Sequence, residues 1–162
     1  MPDLNSTAAS LGELLKEKGQ NIAVSESSCG GLMSGCLVSI PGASAYYVGG
    51  VVCYTRTAQK GLLQVPDETM SNIRASTEEY ALLNARIVRQ ALGTTWALSE
   101  TGASGPTGNR YGDASGHACI AVVGPVERSI TVETGSTDRE ANMWAFAQAA
   151  FELLKQCIHE AG

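Results

Sequence analysis

The sequence predicts an α/β fold, a three-layer α/β/α single domain with a mixed sheet, and three observations lead there. Helix-period segments alternate with short apolar strand-like runs along the whole chain, as in sheets covered by helices on both faces. A glycine-bearing turn at Gly30-Gly31 joins a strand to a helix, and a second glycine-rich segment from Thr101 follows another strand end. The last two strand-like runs are separated only by Gly124-Pro125, too short for a crossover, so they return as a hairpin. With 162 residues and 44% hydrophobic content, one domain over 1–162 suffices. A chain of that size buries roughly two-thirds of the surface its unfolded form exposes.

Each element has its own signal. Residues 6–18 set Leu11, Leu14 and Leu15 at helical spacing and stop at Gly19, and 21–25 reads as a short buried strand. Ser27-Ser28-Cys29-Gly30-Gly31 is the turn out of that strand. Residues 32–40, apolar with the small Ser34 and Gly35, suit a helix packed close against the sheet, ended by Pro41-Gly42. Strand 46–54 carries Val48, Val51 and Val52. A short helix at 57–63 and a longer one at 77–92, with Tyr80, Leu83, Ile87 and Val88 on one face, precede a strand at 94–99. Residues 101–109 are too rich in glycine to be regular and read as a loop at a strand end. Strands at 117–123 and 128–134 and a closing amphipathic helix at 138–158 complete the domain. Trp144 and Phe146 belong to that helix's apolar stretch, as core or a subunit interface.

Composition narrows the function. A net charge of -5 with 11 Lys plus Arg gives no basic field for nucleic acid. No apolar run approaches the roughly 18 residues of a membrane span. The first thirteen residues lack a basic segment followed by an apolar one, so a cytoplasmic protein is expected. Cys29, Cys36, Cys53, Cys119 and Cys157 are an odd number, widely spaced in apolar surroundings, and read as buried hydrophobes of a reducing compartment. No cysteine–histidine spacing fits zinc, and His117 and His159 lie far apart, so neither metal nor cofactor is expected.

The chemical signal lies in the two glycine-bearing turns. Gly30 and Gly31 leave backbone N–H groups at a helix start, where an oxyanion or phosphate is favoured. Ser27 or Ser28 at the mouth of that turn is placed as an acyl-transfer nucleophile; the alternative is that both cap the helix. Thr101, Gly102, Ala103, Ser104 and Gly105 offer a second cradle for phosphate or ribose, or else a plain surface connection. Arg139 pairs with a ligand phosphate, or is solvated while Asp138 caps its helix. Asn109 and Arg110 fall where a flap would cover the site. His117, with Glu100 or Asp113 orienting it, offers Ser27 a triad-like base.

Ser25-Glu26-Ser27-Ser28-Cys29-Gly30-Gly31 is similar to the Ala-Glu-Ser-Cys-Thr-Gly-Gly signature of the CinA C-terminal family. Pro41-Gly42-Ala43-Ser44, the run Gly49 to Thr55, Ala75-Ser76, Thr101 to Pro106 and Thr137-Asp138-Arg139 follow in family order, so the resemblance spans nearly the whole chain. It implies a metal-free serine amidase that converts nicotinamide mononucleotide and water to nicotinic acid mononucleotide and ammonia, in a protein that commonly forms homo-oligomers. By position Ser27 is then the nucleophile and Tyr54 the assisting tyrosine, with Ser28, Cys29, Gly30, Gly31, the 101–105 segment and Arg139 around a small pyridine-nucleotide substrate. The family's lysine falls on Gln59, and Lys60 is next to it. Lys60 is the displaced base if the turn is rewound, and a surface charge otherwise. Arg56 and Thr57 also replace the usual Asn and acidic residue. A glutamine cannot accept a serine proton, which leaves open a nucleotide-binding protein without turnover. The changes at Cys29, Arg56 and Glu100 leave open a hydrolase of another small amide, ester or lactone.

Overall fold

The computed structural model describes all residues from Met1 to Gly162. In chain order it runs α1 (Leu4–Lys18), β1 (Ile22–Glu26), α2 (Leu32–Val38), a single 3-10 turn at Ala43–Ala45, β2 (Tyr47–Val52), α3 (Arg56–Leu62), α4 (Glu78–Leu92), β3 (Trp96–Ala103), β4 (His117–Val123), β5 (Arg128–Glu133) and α5 (Arg139–Ala161). The expected three-layer mixed fold is the observed one. The sheet order is β2-β1-β3-β4-β5, with β2, β1 and β3 mutually parallel and β4 and β5 antiparallel additions.

The helices begin and end where the side chains dictate. Asp3 accepts from the Ser6 N–H to open α1, Thr77 from the Tyr80 N–H to open α4, and Asp138 from the Ala141 N–H to open α5. Gly19 and Gly93 close α1 and α4 in the left-handed conformation. Beneath α1, α2 and α5 lies the larger core, where Leu11, Leu15, Leu37, Phe146, Phe151 and Leu154 cover Val24, Leu98 and Ile120. On the opposite face α4 approaches through Ala81 and Ala85, and the sheet answers with Ala23, Ala97 and Ala121, so alanine meets alanine and the helix sits close. Trp144 is half-buried against the larger core and Phe146 fully buried in it.

Every residue of β1 and β4 is buried, as expected for strands covered on both faces, whereas the edge strand β2 alternates. The largest departure from expectation is β3. The segment read as a glycine-rich loop from Thr101 is strand as far as Ala103, with Thr101 opposite Cys119 and Gly102 opposite Ala118. A Cβ at Gly102 would lie 2.6 Å from the His117 carbonyl oxygen, so this glycine serves close approach of two strands and not a turn. Because β1, β2 and β3 are parallel, their carboxyl ends share one edge of the sheet, and the turns leaving them meet there. No helix is long and apolar enough to cross a membrane.

Candidate active site

The turn between β1 and α2 is built around two buried carboxylates. Glu26, the last residue of β1, accepts from the N–H groups of Gly31 (3.2 Å), Met33 (2.8 Å) and Ser34 (2.9 Å), and so supplies the anion that the start of α2 attracts. Glu100, from the neighbouring β3, reaches under the same turn. Its Oε2 accepts from the backbone N–H groups of Ser27 (3.1 Å) and Cys29 (2.9 Å), and its Oε1 accepts from the Ser28 hydroxyl. Gly30 donates to the Ser27 carbonyl at 3.0 Å. The free donors expected at Gly30 and Gly31 are therefore already committed inside the protein. What requires glycine there is backbone conformation, with φ at 65° and 102°.

These carboxylates set the local electrostatics. Burial pushes the Glu100 carboxyl above its ordinary range, the hydrogen bonds from Ser28, Cys29 and Ser27 pull it back in part, and the Glu26 charge adds to the rise. Burial, reinforced by Glu100 and Glu26, pushes the Cys29 thiol well above its usual value. Cys29 is thus a neutral core side chain, 1% exposed, and not the ligand contact expected of it.

Two cavities open beside the turn. The larger, about 400 Å³, is lined by Ser27, Tyr54, Arg56, Arg74, Arg110 and Tyr111 among others. Arg56 is held by Asp67 and the Val65 carbonyl, each at 2.9 Å. Arg74 pairs with Asp113 at 2.7 Å and lies 4.8 Å from the centre of the Tyr111 ring. Arg110 faces the same ring at 5.0 Å and donates to its hydroxyl, but pairs with no carboxylate. The smaller cavity, about 190 Å³, is lined by Ser28, Tyr54, Ser104, Gly105, Asn109 and Arg139 among others. Arg139 donates to the Tyr54 hydroxyl at 2.9 Å and to the Gly105 carbonyl, so it neither pairs with an acid nor is simply solvated. Tyr54 is the wall common to both cavities.

Ser27, Ser28, Tyr54, Ser104, Gly105 and Arg139 thus come together, and other expected members do not. Lys60 stands on the outer face of α3, 56% exposed, with its ammonium 2.7 Å from Asp67, and it lines neither cavity. Gln59 faces inward, fully buried, donating to Asn84 at 2.8 Å and accepting from Arg56 at 3.3 Å. One residue along a helix is a rotation of about 100°, and no rewinding of α3 brings Lys60 round. Thr101 is buried with its hydroxyl accepting from the Ser76 N–H, which fixes that residue in its left-handed conformation. Gly102 and Ala103 still edge the smaller cavity, as strand and not loop.

His117 is no partner of Ser27. Its Nδ1 meets Glu133 and its Nε2 the Ser76 carbonyl at 2.8 Å, two neighbours that favour the protonated ring, while Glu100 is occupied beneath the turn. Burial opposes the charge of His117, but Glu133, the Ser76 carbonyl and Asp113 outweigh it and raise its pKa. Sequence reasoning missed Arg74, Tyr111 and Asn142. Asn142 donates to the carbonyls of Ser104 (2.8 Å) and Ser136 (2.9 Å), tying the second loop to α5. The one signal for it was a polar residue on the apolar face of a helix.

Residues 4–158 match the CinA C-terminal domain. The chain belongs to the CinA C-terminal domain family. It is 37% identical over 159 residues to a CinA-like protein of Synechococcus, covering 95% of this chain and 36% of that protein. A CinA-like protein of Salinibacter ruber is 37% identical over 150 residues, 93% of this chain and 36% of the relative. The chain therefore spans about a third of the length of these curated relatives. Among solved structures, the competence/damage-inducible protein of Agrobacterium tumefaciens superposes with a TM-score of 0.89 at 26% identity, covering 97% of this chain and 96% of that one. A CinA superfamily protein of Klebsiella pneumoniae superposes at 0.92 with 21% identity over 98% and 99% of the two chains, a likeness of fold.

Proposed function

We propose that this chain hydrolyses the carboxamide of a pyridine nucleotide such as nicotinamide mononucleotide, releasing ammonia, with Ser27 as nucleophile. The observation that carries the reading is that Ser27 and Tyr54 line one cavity with three guanidinium groups. Its volume suits a mononucleotide. Arg110, the arginine without a carboxylate partner, takes the phosphate, and the Tyr111 ring, faced by both Arg74 and Arg110, holds those two guanidiniums at the cavity wall. The Ser27 oxygen adds to the carboxamide carbon, ammonia leaves, and water resolves the acyl-enzyme. Tyr54, oriented by Arg139, relays the proton, a task that falls to it because Gln59 is buried and Lys60 is tied to Asp67.

That same absence of an amine at the serine supports a second reading, in which nucleotide is bound without turnover. Ammonia release from nicotinamide mononucleotide, measured beside ligand-dependent melting, decides between them. On the enzyme reading Ser27→Ala lowers release at least about a hundredfold and Lys60→Ala leaves it unchanged. Stabilisation without ammonia supports the binding reading. Neither turnover nor stabilisation removes both.

A further inference from the structure

The smaller cavity holds a constellation from which the Ser27 reading takes only Tyr54 and Arg139 and leaves Ser28, Glu100 and Ser104 unused. Ser28, the residue standing where the family signature has cysteine, lines this cavity with a hydroxyl that donates to Glu100 Oε1. The other oxygen of that carboxylate is clamped by two backbone N–H groups, from Ser27 and Cys29. Glu100 is therefore fixed in orientation, with one oxygen reserved for the Ser28 proton. This is the relation of a serine nucleophile to its general base, with the turn backbone as the orienting group.

Two further groups complete the arrangement. Two buried hydroxyls, Ser99 and Ser104, have no hydrogen-bond partner, and of these only Ser104 lines a cavity, the one that holds Ser28. Ser104 is 2% exposed, so its unused donor is an expensive feature unless a ligand oxygen meets it. Arg139, without an acidic partner, puts a positive charge on the same wall. At about 190 Å³ the space is too small for a nucleotide and admits a short acyl group bearing an anion.

We propose that Ser28 and Glu100 form a serine–carboxylate dyad that hydrolyses small anionic esters, with the Ser104 hydroxyl as oxyanion donor and Arg139 receiving the substrate's charge. Ser28 Oγ bonds to the ester carbonyl carbon as its proton passes to Glu100 Oε1. Collapse of the tetrahedral intermediate breaks the carbon–oxygen bond to the alcohol, which leaves with that proton. Water then adds to the acyl-Ser28 carbonyl, giving a proton to Glu100, and the acid departs as Glu100 returns the proton to Ser28 Oγ. Burial makes Glu100 a stronger base than an ordinary carboxylate, which suits the role. The inference stands apart from the Ser27 reading, since ammonia release tests that one and ester turnover tests this one.

The test uses the full chain, the mono-4-nitrophenyl ester of succinic acid and neutral 4-nitrophenyl acetate, and phenylmethanesulfonyl fluoride as covalent probe. Expected are turnover of the anionic ester in preference to the neutral one, and a sulfonyl adduct that peptide fragmentation assigns to Ser28. Ser28→Ala and Glu100→Gln each lower turnover at least about a hundredfold, and Lys60→Ala does not. Where Glu100→Gln fails to fold, the wild-type pH profile decides: turnover rises with pH through a midpoint above the ordinary glutamate range. An adduct on Ser27, no adduct and no turnover, a folded Glu100→Gln variant close to wild type, or a profile flat across that range overturns the proposal.

Discussion

The two turns at the carboxyl edge of the sheet look alike in composition and are held in opposite ways. In the β1–α2 turn, buried carboxylates of Glu26 and Glu100 accept backbone N–H groups, and the protein itself supplies the anion. In the connection after β3, the neutral Asn142 amide donates to the carbonyls of Ser104 and Ser136, and the Ser104 hydroxyl is left over. Glycine and serine content therefore marks both as turns but does not locate an anion site. What decides is which side chains reach the backbone from neighbouring strands and helices.

That contrast is sharpest in stability. Charged acceptors are worth more per hydrogen bond than neutral ones, and Glu26→Ala strands three donors at once, so it should cost about 3 kcal/mol or more in urea unfolding. A comparable loss of about 3 kcal/mol is expected of Gln59→Lys, which sets an ammonium in a fully buried position against Arg56. Adding Arg56→Asn should recover part of it, and a double-mutant cycle reads the coupling; additivity would show that Arg56 is not the obstacle to a lysine there. On the neutral turn, Asn142→Ala should cost about 2 kcal/mol, less than Glu26→Ala. The reverse order would break the comparison.

A pH effect comes next, at His117, where β4 begins just beyond the second loop. Its raised folded pKa means that its contribution is fully present below the unfolded histidine value and is lost as pH rises through the folded one. Melting followed from mildly acidic to mildly alkaline pH should reveal that loss, and Glu133→Gln should flatten it. The smallest effect is expected of Lys60→Ala, which removes an exposed ion pair with Asp67 and should leave the urea midpoint at its wild-type value.

Much of this was legible in the chain. Hydrophobic periodicity placed every helix and strand, and the residues of β4 were read to their ends, because a segment's burial pattern is written in its own side chains. The family motifs brought Ser27, Ser28, Tyr54, Ser104, Gly105 and Arg139 to one region. Gly102 was misread because a glycine needed for close strand approach and a glycine needed for a turn are the same letter. Arg74 and Tyr111 were missed because they lie on loops, where no period points to a shared cavity.

The sequence by itself determined the three layers, the helix stop at Gly19 and the two glycine-bearing turns at strand ends, since these follow from local pattern and chain connectivity. Only the tertiary structure decided what those turns face. It set Gln59 inward and Lys60 outward, ran β3 on to Ala103, and brought Glu100 beneath Ser28 across more than seventy residues of chain. A carboxylate's partner is fixed by strand register and burial, and neither is written in the residues next to it.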